Sequence, residues 1–192
     1  MVEPTDEELM RAVQAGDDAA FPLLYRRYER RLLAFLAPYV GDPALAEDLL
    51  QETFLRVFRQ RASYEPRSAF RTWLFTIARN LALDQFRRRR SLREATPPLG
   101  EGSRVGEDPE RLPDPAPDPL GVLAARDAVT ALRAALLELP EEDRAVILLS
   151  RLESLRYREI AEILGSTEGA GKVRAHRALL ALRKRLQREK NL

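Results

Sequence analysis

Arginines supply most of the chemistry this sequence could do, and they are concentrated in two places. Arg87, Arg88, Arg89 and Arg90 form one run, preceded by Arg71, Arg79 and Asn80 and by a loop in which Tyr64 stands between Arg61 and Arg67. Aromatic rings beside guanidinium groups suit unstacked nucleic-acid bases, the ring taking the base face and the cation the phosphate. A helix C-terminus also favours cations through its dipole, so the run alone equally describes a solvated helix end. The second place is Lys172 to Lys190, with eight basic residues and one acidic. Just before it, Tyr157 to Leu164 reads as a short amphipathic helix stopped at Gly165, and Thr167 can cap a second helix running toward Lys190. Helix, glycine turn and basic helix is the helix-turn-helix arrangement, whose second helix enters the major groove. Gly171, Ala175, Ala178, Leu179, Leu182 and Leu186 fall on its inward side. Thr167, Glu168, Lys172, Val173, Arg174, His176 and Arg177 fall on the first turns that would meet DNA. A basic helical hairpin can also be plain scaffold.

A third constellation is polar rather than basic. Asp48, Gln51, Glu52, Leu55, Arg56 and Arg59 share one outward helical stripe by their three- and four-residue spacing. Leu55 is its odd member, either an anchor for a protein partner or an ordinary exposed leucine. The absence of cysteine excludes disulfides, thiolate nucleophiles, zinc fingers and iron–sulfur ligation, and a single histidine, His176, excludes multi-histidine metal sites. Without a phosphate-cradling glycine loop or a compelling carboxylate pair, the sequence offers no catalytic residues, metal ligands or cofactor site, and no enzyme is expected.

These elements sit in a chain of 192 residues with 32 basic and 30 acidic side chains, a net formal charge of +2. Twenty-nine of the basic residues are arginine, which fits a GC-rich coding sequence as well as a selected function. No apolar run reaches the roughly 20 residues needed to cross a bilayer, and the acidic start lacks a secretory pattern, so a cytoplasmic protein is expected. Seven of the 13 prolines fall between Ser91 and Leu120, where seven acidic residues face three basic ones. Proline removes backbone donors and restricts its neighbours, so residues 91–121 read as an acidic, semi-extended linker between domains at 1–90 and 122–192. The flanking periodicity is helical. Thr5 with Glu8 forms a capping box, and Phe21, Leu24, Tyr25, Tyr28, Leu32, Phe35, Leu36 and Tyr39 mark one buried face. Asp42 and Pro43 suit the start of a helix burying Ala46, Leu49, Leu50, Phe54, Val57 and Phe58, and a third helix after Pro66 buries Phe70, Trp73, Leu74, Ile77 and Leu81. With no alternating strand pattern, the expected fold is all-α: two small helical domains joined by a flexible linker.

Five segments carry a family resemblance: AEDLLQETFLRVFR (Ala46 to Arg59), FRTWLFTIARNLALDQFRRRR (Phe70 to Arg90), LPEEDRAVILL (Leu139 to Leu149), YREIAEILGSTEG (Tyr157 to Gly169) and HRALLALRKRL (His176 to Leu186). In this order they resemble a bacterial RNA polymerase sigma factor of the extracytoplasmic-function group of the sigma-70 family. The resemblance implies a region-two bundle and a region-four helix-turn-helix. It implies that Asp48, Gln51, Glu52, Leu55, Arg56 and Arg59 dock on the clamp helices of the polymerase beta-prime subunit. Tyr64, Arg67, Arg71, Arg79, Asn80, Arg87 and Arg88 would belong to the reader of the minus-10 promoter element, and the helix after Thr167 to the reader of the minus-35 element, its domain resting on the beta flap. Core RNA polymerase, promoter DNA and an anti-sigma factor are the implied partners, the free chain being a monomer. A stand-alone helix-turn-helix regulator would account for the C-terminal half but not for the Leu55 stripe. The chain departs from the family pattern at Ala170, Gly171, Val173 and Ala175, at Ser154 and Arg156, where glycine and serine are common, and at Pro22.

Overall fold

The computed structural model describes residues 3–66, 69–95 and 119–189. Thr5 opens α1 (Asp6–Gln14) with the expected capping box: its hydroxyl accepts from the Glu8 amide at 3.2 Å, and the Glu8 carboxylate accepts from the Thr5 amide at 2.8 Å. After α2 (Ala20–Val40), Gly41 turns the chain at φ +75°, and a Cβ there would come within 2.7 Å of the Leu137 side chain. Glycine is therefore favoured at this turn by its left-handed backbone, and a Cβ would also have to displace the Leu137 side chain. Asp42 caps α3 (Pro43–Arg59), accepting from the Leu45 amide at 3.1 Å. A 3-10 turn (Arg61–Ser63) leads toward α4 (Phe70–Ala95). Leu24, Tyr28 and Phe35 of α2 meet Leu50, Phe54 and Val57 of α3 and Phe70, Leu74 and Phe75 of α4 in one buried core. Apolar residues three and four apart place these faces together.

The C-terminal helices are α5 (Pro119–Leu137), α6 (Glu141–Arg151), α7 (Tyr157–Leu164) and α8 (Glu168–Glu189). Gly165 stops α7 at φ +64°, and the Thr167 hydroxyl accepts from the Ala170 amide at 3.2 Å, as the helix-turn-helix reading requires. Gly171, Ala175, Ala178 and Leu182 are buried, and Leu179 and Leu186 pack partly buried beside them. The described residues contain helices and no strand, in keeping with the all-α expectation.

Three details differ from the sequence reading. Ser91 to Ala95, read as linker, continue α4, with Arg90 Nε donating to Glu94 at 3.0 Å. The first proline of that stretch is Pro97, so nothing breaks the helix earlier. At the other end Pro119 to Gly121, also read as linker, open α5, and residues 96–118 between lie outside the described residues. Phe58, expected inside, is exposed, because it lies at the end of α3 beside Phe21, the second residue of α2, and overhangs the core. Trp73 is only half-buried, against Tyr64 at 4.9 Å.

The two groups of helices pack on each other, α2 against α5 and α6, and α4 against α7. Arg144 of α6 is the buried tie. Its guanidinium donates to the carbonyls of Leu136 (2.9 Å), Leu137 (2.8 Å) and Leu139 (3.1 Å), and across the interface to that of Tyr39. Burial lowers its pKa, with Tyr39 and Glu141 opposing.

Departures from the family pattern have visible physical consequences. Ser154 adopts φ +50°, left-handed backbone that glycine occupies at less cost. At Gly171 an added Cβ would meet only the Tyr157 carbonyl oxygen at 3.8 Å, an ordinary contact. Ser154→Gly with Gly171→Ala should therefore stabilise the C-terminal domain by about 1–2 kcal/mol together. Thermal denaturation checks this, and an unchanged or lowered midpoint contradicts it.

Candidate functional site

The stripe on α3 faces outward as its spacing predicts. Asp48, Gln51, Leu55 and Arg59 are exposed and Glu52 and Arg56 half-buried, with Arg59 and Glu52 3.9 Å apart. Leu55, 49% exposed, is not isolated. With Gln51, Phe54 and Phe58 of α3 and with Phe21 and Tyr25 of α2 it lines a shallow, mostly apolar groove. Phe21 meets Phe54 and Phe58 edge-on at 6.0 and 5.3 Å, and the Arg61 guanidinium lies 4.1 Å above the Phe58 ring. Sequence periodicity assigned Phe21, Tyr25 and Phe58 to the core. Only the offset between the ends of α2 and α3 reveals them as groove walls.

The basic surface on α4 is brought together in part. Asn80, Arg87 and Arg88 are exposed, Arg87 pairing with Asp84 at 3.3 Å. Arg67 lies outside the described residues. Tyr64, expected as an exposed stacking ring, is buried against Phe70 and Trp73, because Gln14 Nε2 donates to the carbonyls of Arg61 and Tyr64 at 2.9 Å and draws the turn inward. Burial raises its pKa to about 12. Arg79, also expected outside, is 7% exposed and donates to the Ile163 carbonyl of α7 at 3.4 Å. Arg71 is half-covered: its Nε and Nη2 both donate to Glu159 Oε1, at 2.9 and 2.6 Å. The packing of α7 onto α4 causes both changes. The remaining face of α4, from Asn80 through Arg87 to Arg90, borders a cleft whose far wall is Glu141 and Glu142 at the start of α6.

On α8, Glu168, Lys172, Val173, His176 and Arg177 are exposed and Arg174 half-buried. Lys172 pairs with Glu168 at 2.6 Å, which holds that carboxylate below its ordinary pKa. Arg174 reaches α6, pairing with Glu142 and lying 4.0 Å from Asp143. Burial raises the Asp143 pKa, partly offset by Arg177. The acidic first turn of α6 thus faces basic residues of both α4 and α8.

Residues that sequence reasoning missed hold the halves together. Besides Arg71–Glu159, Arg31 of α2 contacts Glu153 at 2.6 Å. Glu159 shows locally only as the acceptor of the Arg156 amide at the start of α7 (2.9 Å), and neither acid's pairing, with a partner over 80 positions away, has a local signal. Desolvation raises the Glu153 pKa despite the nearby arginines. An acid whose folded pKa is raised contributes most stability below its unfolded pKa, and loses it as pH rises through the folded value. Wild-type stability should therefore fall from pH 4.5 upward by a component that Glu153→Gln removes. Denaturation midpoints of both proteins across that range check this, and parallel curves contradict it.

The family described as Sigma-70 region 2 matches residues 24–92, and that described as Sigma-70, region 4 matches residues 130–182. The ECF RNA polymerase sigma factor SigE of Mycolicibacterium smegmatis is 39% identical over 95% of this chain and 69% of its own length. The RNA polymerase sigma factor CarQ of Myxococcus xanthus is 36% identical over 92% of this chain and 95% of its own. Among solved structures, the sigma factor RpoE of Bartonella quintana, in complex with the anti-sigma factor NepR, superposes with a TM-score of 0.68 at 26% identity, covering 87% of this chain and 96% of that one. Similarity spanning both halves, in one order, disfavours a stand-alone helix-turn-helix regulator. The α3 groove, the α4 basic face and the α7–α8 pair fall within those matches, and the chain belongs to the extracytoplasmic-function group of sigma-70 family RNA polymerase sigma factors.

Proposed function

We propose that this protein is the dissociable promoter-specificity subunit of bacterial RNA polymerase, acting in the cytoplasm and without catalytic activity of its own, in which three surfaces divide the work. The helices of residues 1–90 bind core polymerase through the α3 groove, with Leu55 as anchor and Asp48, Gln51, Glu52, Arg56 and Arg59 as polar rim. An apolar centre ringed by polar groups is the usual anatomy of a protein interface. The α4 face, from Arg71 and Arg79 through Asn80 to Arg87 and Arg88, reads the minus-10 element. The first turns of α8 read the minus-35 element from the C-terminal domain, and the residues between α4 and α5 join the two. The observation that carries the reading is the pairing of an exposed apolar groove with two basic helices in one chain. A DNA-binding module alone needs no such groove.

This division of labour requires the domains to part, because Arg71 and Arg79 of α4 are engaged by α7. A protein that holds the two halves together would keep the chain inactive, the role we assign to an anti-sigma partner in view of the complex formed by the Bartonella relative. A labelled promoter duplex titrated with this chain, with core polymerase, and with both tests the proposal. The expected result is a salt-resistant, sequence-specific complex only with both. Equally tight specific binding by the chain alone would instead establish a stand-alone regulator.

A further inference from the structure

We propose that Val173 is a specificity-determining residue that reads the 5-methyl group of a thymine in the upstream promoter element. The inference rests on the assignment of α8 as the minus-35 reader. Val173 is 52% exposed, whereas the buried stripe of α8 runs through Gly171, Ala175, Ala178 and Leu182, so its isopropyl group adds nothing to the core. As a β-branched residue it also lowers helix propensity relative to alanine. With Gly169 and Ala170 one turn before it, Arg174 and Arg177 after it and Asp143 of α6 alongside, it lines a shallow groove between α8 and the start of α6. Gly169 and Ala170 carry no side chain beyond a methyl, and a Cβ built at Gly169 meets nothing within 4 Å. Val173 is therefore the protruding apolar feature of a flat stretch, with a guanidinium group one turn beyond.

An isopropyl group can neither donate nor accept a hydrogen bond, so it is blind to the polar code of the major groove. The one apolar feature that groove displays is the thymine 5-methyl. Burying one methyl against another excludes water from both, at a value near that of one buried methylene. Arg177, exposed one helical turn along and near Asp143, can reach a guanine edge or a phosphate beside that thymine.

The test uses core polymerase with the full chain on a promoter recovered by run-off selection. Each thymidine of the upstream element is replaced in turn, on either strand, by 2′-deoxyuridine, which removes only the methyl. At one position, replacement should weaken promoter binding about three- to fivefold. Val173→Ser and Val173→Ala should lose a similar factor on the thymidine promoter and become indifferent to uridine there, with thermal midpoints no lower than wild type. If base-pair transversions in the upstream element matter but no uridine does, the methyl reading is overturned while α8 keeps its assignment. If the variants retain the wild-type uridine response, Val173 is not the reader. If transversions there have no effect at all, the assignment of α8 itself fails.

Discussion

Leu55→Asp in the full chain should reduce affinity for core RNA polymerase by about 100-fold or more, with the fold intact. As the hot spot of the interface, Leu55 would cost about 2 kcal/mol or more when truncated, and a carboxylate left desolvated there costs further. Leu55 is half exposed and packs nothing essential, so the same substitution should leave the thermal midpoint within about a degree of wild type. Gln51→Ala, at the groove edge, should add a smaller loss. Pull-down with purified core, with denaturation as the fold control, distinguishes the cases. Retained polymerase binding by the double variant would remove the groove from the docking surface.

The second large effect concerns stability. Arg144→Leu should destabilise the protein by about 3–5 kcal/mol, because it strips one buried guanidinium from four carbonyl acceptors at once. Two of those carbonyls, of Leu136 and Leu137, end α5, that of Leu139 belongs to the α5–α6 connection, and the fourth, of Tyr39, belongs to α2. Losing the arginine therefore loosens both the C-terminal domain and its seat on the N-terminal one. Arg144→Lys should recover only part of the loss, since an ammonium cannot spread its donors across that fork of acceptors. Urea denaturation measures both variants, and a loss below about 1 kcal/mol for Arg144→Leu would contradict this account.

Local signals were legible in the sequence and long-range ones were not. Thr5 with Glu8, Asp42 with Pro43, and Gly165 with Thr167 each place a helix end through contacts within a few residues, and each stands where residue type predicts. The outward stripe of α3 and the buried stripe of α8 follow from helical periodicity alone. Tyr64 is different: its burial depends on Gln14, 50 positions earlier, which no local pattern encodes. Arg71 and Arg79 are likewise covered by α7, a helix of the other domain, so their residue type announced nucleic acid while their packing hides them. Phe58 follows the apolar period of α3 but outruns the helix it was expected to pack on. Arg144 stands beside the apolar run Ala145 to Leu149 and showed nothing of its role, since its acceptors are backbone carbonyls that have no sequence signature.

The most direct test of the central claim is run-off transcription by bacterial core RNA polymerase on a library of promoter fragments, with and without this protein. The account predicts new start sites that depend on the protein and share two spaced upstream elements, and that vanish with Leu55→Asp. Absence of any protein-dependent start, together with no association between the protein and core polymerase, would contradict it.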